Sequence, residues 1–339
     1  MQVPPWPLES SGGGTVYAED LKSSTRKGLW VRIPPRAPKS NFQIFLRIET
    51  PGVCDIIFRM PENKSVIDLI DPKDYSHAVH LLRNFFIKKG FLDVPVQHRL
   101  SILAACEDPR TIGEFHYAGN VWPLPQTGQM WLEYELLKNP EAPGFFCIST
   151  SYRNEPHPVP GRHNLIFPIF EFETHGTIDD LMKLEKELLE FLGFGKPENY
   201  KELEYKNAAR DLGVVELTGE HEKILADKFG PVIFLKNFPE LTSPFWNMRR
   251  TTDGYSNKID VLLYGIETIG SAERSIDPEE MRHRFETISG GLYAEILYAR
   301  FGRARVEKEL DEFLSNKFIE RCGGGIGMTR IIRALKLLK

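Results

Sequence analysis

Apolar residues recur at helical spacing in four parts of the chain. This spacing predicts helices over residues 77–89, 177–192, 306–314 and 329–338. Thr177 is the expected N-cap of the second helix. We expect four apolar side chains of that helix to face inward: Leu181, Leu184, Leu188 and Phe191.

Runs rich in β-branched and aromatic residues, bounded by Gly and Pro, predict strands. They cover residues 92–96, 145–153, 165–173, 232–238, 258–266 and 318–322. The second and third strands are joined by a segment rich in Pro and Gly, 156–161, which is typical of a hairpin with a long loop. Strands outnumber clear β-α-β units. The predicted fold is therefore α+β, a single large domain with a mainly antiparallel sheet flanked by helices.

The first forty residues differ from the rest. They contain six prolines, four glycines and five serines, and carry a net charge of +3. Such a segment buries little apolar surface, so we expect a disordered tail over 1–40 rather than a nucleic-acid-binding arm. Another hypothesis is a mis-called start codon, because residues 30–34 can be encoded by the T-arm sequence of a tRNA gene. We expect a short lead-in over 41–70 and the folded domain over 71–339.

Charge and composition exclude several classes of protein. The chain has 43 Lys and Arg against 47 Asp and Glu, which disfavours a polycation that coats nucleic acid. It has no apolar run long enough to span a membrane, and its start has no secretory signal pattern. Its four cysteines are far apart and form no zinc motif, which favours free thiols in a reducing compartment. We therefore expect a cytoplasmic protein.

A glycine run lies near the end of the chain, at a predicted strand-to-helix junction, 323–330. Glycines let a backbone approach a ligand closely, and a helix N-terminus favours an anion. The run is not a dinucleotide-binding fingerprint, because too few residues follow it for a β-α-β unit, and no Gly-Lys-Ser/Thr phosphate loop occurs. Tight helix–strand packing is the alternative interpretation. Arg330, one turn into the helix, can reach a phosphate placed there.

A second candidate is the predicted hairpin of residues 145–173. Arg153 can hold a phosphate with both guanidinium nitrogens, and Arg162 and His163 on the loop can close over a polyphosphate. Phe167 offers a flat face for a purine, and Glu155 can accept a hydrogen bond from its amino group. The alternative is a surface hairpin with scattered ion pairs and a core phenylalanine.

Together, the Tyr-Arg-Asn-Glu…Arg-His-Asn-x-x-Phe segment and the glycine run resemble two motifs of the class II aminoacyl-tRNA synthetases, over 71–339. The resemblance implies an antiparallel sheet that binds ATP in a bent shape. It places Arg153 at the α-phosphate, Arg330 at the γ-phosphate and Glu155 at the adenine amino group, with adenine between Phe167 and Arg330. It further assigns these residues to the ATP site: Arg162, His163, Glu267, Gly325 and Gly327.

Two further stretches resemble the asparaginyl members of the aspartyl/asparaginyl/lysyl branch. Residues 125–133 have Leu132 where aspartyl enzymes have a lysine. In residues 267–274 the resemblance makes Glu267 a Mg²⁺ ligand and Arg274 the partner of the side-chain carbonyl of the amino acid. The implied amino-acid site consists of Gln129, Glu171 and Arg274. The alternatives are a surface carboxylate for Glu267 and a satisfied core amide for Gln129.

The resemblance implies an ATP- and Mg²⁺-dependent ligase that activates a small amino acid, asparagine-like or aspartate-like, with tRNA as a further partner. The helix at 77–89 resembles the motif that builds a homodimer interface. Residues 41–70 are too few for the anticodon-binding barrel of this branch, so we expect a stand-alone catalytic paralogue. Two alternatives stay open: an ammonia-dependent asparagine synthetase acting through aspartyl-adenylate, and a non-catalytic module that binds RNA or protein.

Overall fold

The computed structural model describes residues 43–50, 53–59, 69–96, 102, 111–155, 164–242 and 245–338. The chain divides into two compact units, Met1–Leu69 and Ile70–Lys339. In the first unit, strands β1 (Gln43–Thr50) and β2 (Val53–Arg59) pair as an antiparallel hairpin, which the sequence pattern did not predict. The tail predicted over 1–40 lies outside the described residues.

The second unit alternates helices and strands. Its α-helices in the described residues are α1 Pro72–Lys88, α2 Gln129–Lys138, α3 Ile178–Phe191, α4 Tyr205–Leu212, α5 Gly219–Phe229, α6 Pro278–Thr287, α7 Leu292–Phe301, α8 Arg303–Leu314 and α9 Met328–Leu337. Its strands there are β3 Leu92–Asp93, β4 Glu114–Tyr117, β5 Asn120–Pro123, β6 Gly144–Tyr152, β7 Ile166–His175, β8 Lys201–Glu204, β9 Val232–Pro239, β10 Tyr255–Leu263, β11 Ile266–Glu273 and β12 Arg321–Gly327.

Eight strands of this unit form one sheet, in the order β3-β6-β7-β12-β11-β10-β9-β8. From β6 to β9 every neighbouring pair is antiparallel, and the outer pairs β3–β6 and β8–β9 are parallel. Strands β4 and β5 form a separate hairpin. The prediction of an α+β fold with a mainly antiparallel sheet flanked by helices is confirmed.

The back face of the sheet carries the main hydrophobic core. Because side chains alternate along a strand, Phe170 and Phe172 of β7 point to this face, where they meet Phe86 of α1. The Phe86 ring centroid lies 5.2 Å from that of Phe170 and 5.0 Å from that of Phe172. Helices α1, α3 and α9 cover this face together.

The front face, to which Glu171 and Glu173 point, is covered at two places. Helix α2 packs on β6 through Leu132 and Leu136. Helices α4 and α5 pack on β9 and β10, against Ile233, Leu235 and Leu262. Between these covers, β12 and β11 present glycine and alanine, which leaves a trough over the middle of the sheet.

The glycine run lies mostly within strand β12, so the strand predicted over 318–322 was placed too early. A Cβ on Gly324 would lie 2.5 Å from Ser271 Cβ, and one on Gly325 would lie 2.8 Å from Ile169 Cδ1. The missing side chains therefore allow β12 to sit closely between its neighbours. Tight packing, which the sequence left open as an alternative, applies to this part of the run.

The strand predicted over 258–266 was also wrong in extent. It is two strands, β10 and β11, joined at Tyr264 and Gly265, whose φ angles are +50° and +74°. Two successive positive φ angles are typical of the tight turns that join antiparallel strands. The sequence pattern missed this turn because Tyr264 is not a usual turn residue.

Helix predictions were wrong mainly at their ends and faces. Helix α1 begins at Pro72 rather than at residue 77, because Asp71 accepts hydrogen bonds from the backbone N–H groups of Lys73 and Asp74. In α3, Leu181 and Leu188 are buried as predicted, but Phe191 is 38% exposed and Leu189 is buried instead.

Candidate functional site

The floor of the trough is formed by two rows of residues that cross four strands in register. One row is Glu171, Gly325, Gly270 and Asp260, and the other is Glu173, Gly323, Ala272 and Lys258. Strand spacing makes each row about 14 Å long. In the first row, Gly325 and Gly270 carry no side chain and are partly exposed, so a ligand can reach the backbone there. In the second row, the Glu173 carboxylate and Gln129 fill the space above Gly323.

Arg153 and Arg330 lie at the same end of this trough. Strands β6 and β12 run in the same direction and are separated by β7, so their backbones lie roughly 10 Å apart. Arg153 follows the last residue of β6, and Arg330 lies in the first turn of α9, directly after β12. The Arg153 guanidinium carbon lies 5.5 Å from the centroid of the Phe167 ring. Among the described residues, its buried Nε has no hydrogen-bond partner, which suits an anion held at this point.

Arg330 extends over Gly327 towards β11. A Cβ on Gly327 would lie 3.4 Å from Arg330 Cδ, and Arg330 Nη1 donates to the Glu267 carbonyl oxygen at 2.8 Å. The same nitrogen lies 3.4 Å from the Glu267 carboxylate. The arginine predicted to hold a phosphate thus lies beside the carboxylate predicted to hold a metal ion.

Glu267 has a second carboxylate beside it that the sequence analysis missed. A Cβ on Gly270 would lie 3.1 Å from Glu267 Oε1 and 3.5 Å from Asp260 Oδ1, so both oxygens border the space above this glycine. Carboxylate oxygens are suitable ligands for Mg²⁺, which usually takes one or two carboxylates and leaves its other positions to water and phosphate. This pair fits that donor set, and the described residues contain no cluster of three or more metal-ligating side chains.

Glu171, predicted to bind an amino acid, holds the N-terminus of α2. Its carboxylate accepts hydrogen bonds from Gly128 N at 2.8 and 2.9 Å, from Ser149 Oγ at 2.7 Å and from the Thr127 hydroxyl. Complete burial raises the pKa of Glu171, and these hydrogen bonds, with the charge of Arg153, oppose the rise. The structure therefore gives Glu171 a clear role in positioning α2.

Gln129 and Arg274 meet at the other end of the trough, on Glu173. Gln129 Nε2 donates to the Phe172 carbonyl oxygen at 2.9 Å and to the Glu173 carboxylate. Arg274 Nε and Nη2 each donate to Glu173 at 3.3 Å. Burial raises the pKa of Glu173 to about 7; Arg274 opposes this rise and nearby Glu133 adds to it.

A second buried ion pair supports this end of the trough. Arg321 Nε and Nη2 donate to Glu133 Oε2 at 3.0 and 2.8 Å, and both side chains are fully buried. Arg274 Nε lies 3.6 Å from Glu133 Oε1. The two arginines and two glutamates thus form one buried cluster of charged groups, which includes Arg274, one of the predicted amino-acid-binding residues.

The remaining predicted residues divide into two groups. Glu155 is half-buried, two residues beyond Arg153, and Gly325 and Gly327 are partly exposed on the trough floor. Arg162 and His163 lie outside the described residues.

In the described part of the chain, no helix combines the length and apolar character that crossing a membrane requires.

Several solved structures of similar fold are aminoacyl-tRNA synthetases. Asparaginyl-tRNA synthetase from Pyrococcus horikoshii, complexed with asparaginyl-adenylate, has a TM-score of 0.63 at 20% identity, covering 78% of this chain and 65% of its own. The Entamoeba histolytica asparaginyl enzyme, also with asparaginyl-adenylate, has a TM-score of 0.61 at 16% identity, covering 84% of this chain and 73% of its own. Aspartyl tRNA synthetase from Entamoeba histolytica has a TM-score of 0.56 at 19% identity, covering 79% of this chain and 56% of its own.

The chain thus spans less than two thirds of the archaeal asparaginyl enzyme. No curated protein matches it in sequence. Residues 62–338, most of the chain, match the family described as tRNA synthetases class II (D, K and N). With the antiparallel sheet and the arrangement of its trough, this match shows that the chain belongs to the class II tRNA synthetases of the aspartyl, lysyl and asparaginyl group.

Proposed function

We propose that this protein is an ATP-dependent ligase that forms an aminoacyl-adenylate from a small amino acid, asparagine-like or aspartate-like. One observation carries the proposal. A single trough has two arginines and a carboxylate pair at one end, and an amide with a buried guanidinium at the other. The asparaginyl enzymes of similar fold hold asparaginyl-adenylate, which supports the same product here.

The proposed reaction needs no protein nucleophile. The carboxylate of the amino acid attacks the α-phosphorus of ATP, a new P–O bond forms, and pyrophosphate leaves with the electrons of the broken bond. Arg153 holds the α-phosphate and stabilises the charge that develops there, while Arg330 holds the far end of the triphosphate. Asp260 and Glu267 would hold Mg²⁺, which would neutralise phosphate charge there.

At the opposite end, Arg274 donates to the side-chain carbonyl of the amino acid. Glu173 and Glu133 fix the position of Arg274. A buried carboxylate side chain needs a cation beside it, and Leu132 supplies none. We therefore expect asparagine to be preferred to aspartate.

ATP–pyrophosphate exchange with each amino acid tests this function. We expect exchange with asparagine or aspartate, and Arg153→Ala should lose on the order of 3 kcal/mol of transition-state stabilisation, roughly a hundredfold in rate. Arg303→Ala is the matched control, because Arg303 is exposed and contacts Glu307 on α8 at 2.9 Å and the Tyr298 ring. Exchange by Arg153→Ala at the wild-type rate contradicts the assignment.

The acceptor is tested in the same assay. Transfer to tRNA is the expected second step, whereas ammonia-dependent release of asparagine from aspartate and ATP is expected of an asparagine synthetase. Absence of exchange with every amino acid favours a non-catalytic module that binds RNA or protein.

A further inference from the structure

Each member of the carboxylate pair, Asp260 and Glu267, has its own cation. Lys258 Nζ lies 3.2 Å from Asp260 Oδ2, and Arg330 Nη1 lies 3.4 Å from Glu267 Oε2. The other oxygens, Asp260 Oδ1 and Glu267 Oε1, are the ones that border the space above Gly270. A third carboxylate, Glu222, accepts a hydrogen bond from the backbone N–H of Glu267 at 2.9 Å, on the same side as Arg330. The cation beside Asp260 is Lys258.

Lys258 is held firmly in this position. Its side chain is 11% exposed, and Nζ lies 4.2 Å from the centroid of the Phe238 ring, a favourable place for a cation. Lys258 and Asp260 are two residues apart on β10, so their side chains share the front face. The ammonium is therefore a fixed charge beside the metal-binding oxygens and not a mobile surface group.

A fixed positive charge beside a cation site opposes binding of a divalent ion. The interaction energy between two charges falls only with the first power of their distance. The ammonium of Lys258, one side chain away from a divalent ion at the carboxylate pair, therefore weakens binding of that ion even where solvent screens the charges. A nucleoside triphosphate removes this opposition to metal binding. Its negative charge is attracted by Lys258, Arg330 and Arg153, and the nucleotide brings a metal ion that it has already bound.

We propose that Lys258 makes metal binding at the carboxylate pair depend on nucleotide: the free divalent cation is held weakly, and it binds tightly only as its complex with a nucleoside triphosphate. This inference rests on the proposed ATP site. It assigns to Lys258 the role of a positioning and charge-balancing residue that acts through Asp260. If Lys258 served only to orient Asp260, removing Lys258 would weaken metal binding. The proposal predicts that removing Lys258 strengthens it.

Electron paramagnetic resonance of Mn²⁺ tests the proposal without any need for turnover. Wild-type protein should bind Mn²⁺ alone weakly and bind it at least tenfold more tightly when ATP is added. Lys258→Met, which keeps an apolar stem of similar length, should bind Mn²⁺ alone about tenfold more tightly than wild type, and Lys258→Arg should behave as wild type. Lys236→Met is the matched control, because it removes an ion pair of equal length, 3.2 Å, to Glu202 on the outer strand β8.

Each result has a defined meaning. Unchanged or weaker binding of Mn²⁺ alone by Lys258→Met overturns the inference, and so does wild-type binding that ATP does not strengthen while ATP itself binds. A wild-type protein that binds no ATP overturns the proposed function as well. Thermal unfolding checks that Lys258→Met is folded, and if it is not, Lys258→Gln is measured in its place with the same expected result.

Discussion

Glu185 is an acid in the apolar core. It lies on α3, on the back face of the sheet, with no exposed surface. Among the described residues, neither of its carboxylate oxygens has a partner in hydrogen-bond geometry, although Ser271 is close enough to influence it. Burial raises the pKa of Glu185 from 4.5 to about 8, and Ser271 only partly opposes this. In the folded protein Glu185 is therefore uncharged at neutral pH.

Glu185→Gln should stabilise the protein, increasingly so at higher pH. Between pH 4.5 and about 8 the unfolded chain loses the Glu185 proton while the folded chain keeps it, so wild-type stability falls as pH rises through this window. Glutamine resembles the neutral acid and escapes this loss. We expect a gain in the free energy of unfolding of about 3 kcal/mol at pH 7 and almost none at pH 4, measured by urea denaturation.

Glu190→Gln is the control for this measurement, because Glu190 lies on the exposed side of the same helix. Its difference from wild type should stay constant between pH 5 and pH 8. A Glu185→Gln difference that is equally flat over this range would show that Glu185 is ionised in the folded protein.

At the scale of elements, β12 depends on the absence of side chains. A Cβ on Gly323 would overlap the Glu173 carboxylate and the Phe172 carbonyl oxygen, and would lie 2.7 Å from Gln129 Nε2. The backbone carbonyl cannot move without displacing β7. Gly323→Ala should therefore lower the free energy of unfolding by about 3 kcal/mol, as forced overpacking does.

Gly327→Ala is the matched control within the same strand. Its Cβ would meet only Arg330, at 3.4 Å, and the backbone at Gly327 has a φ of −64°, which any residue can adopt. We expect a change within about 0.5 kcal/mol. Equal effects of the two substitutions in chemical denaturation would mean that β12 is not packed as described.

These elements show what a sequence can reveal. Helix α3 was predictable because its leucines and Thr177 are local signals, yet Glu185 lies one turn from Leu181 within the same apolar face, where its charge argued for exposure.

Arg153 and Arg330 were predictable because each lies in a short motif. Asp260 and Lys258 were not singled out, although period-two alternation on a strand would have put them on one face. Their importance depends on β11, which brings Glu267 beside them.

At the scale of the whole molecule, we predict that a second copy of the chain packs against helix α1 and strand β3. Helix α1 and the edge strand β3 present apolar side chains to the outside, with Ile87 56% and Leu92 53% exposed. The resemblance of this segment to the first family motif supports a homodimer built through it. We expect a particle of twice the chain mass of 38.9 kDa in light scattering.

Ile87→Glu should convert this particle to a monomer, because burying an unpaired carboxylate at an interface is costly. Ile224→Glu, at a 47% exposed position of α5, should leave the mass unchanged. A wild-type monomer, or an Ile87→Glu dimer, would place the interface elsewhere or remove it.

The side-chain-free floor of the trough also limits how this protein can change its ligand preference. Gly270 and Gly325 present main chain to whatever binds above them, and main chain is the same for every amino acid. Altered selectivity, in evolution or in a designed library, must therefore arise from the residues at the rim. The backbone at the centre of the sheet offers the same contacts to every ligand, so binding of a new substrate requires substitutions among the residues that surround it.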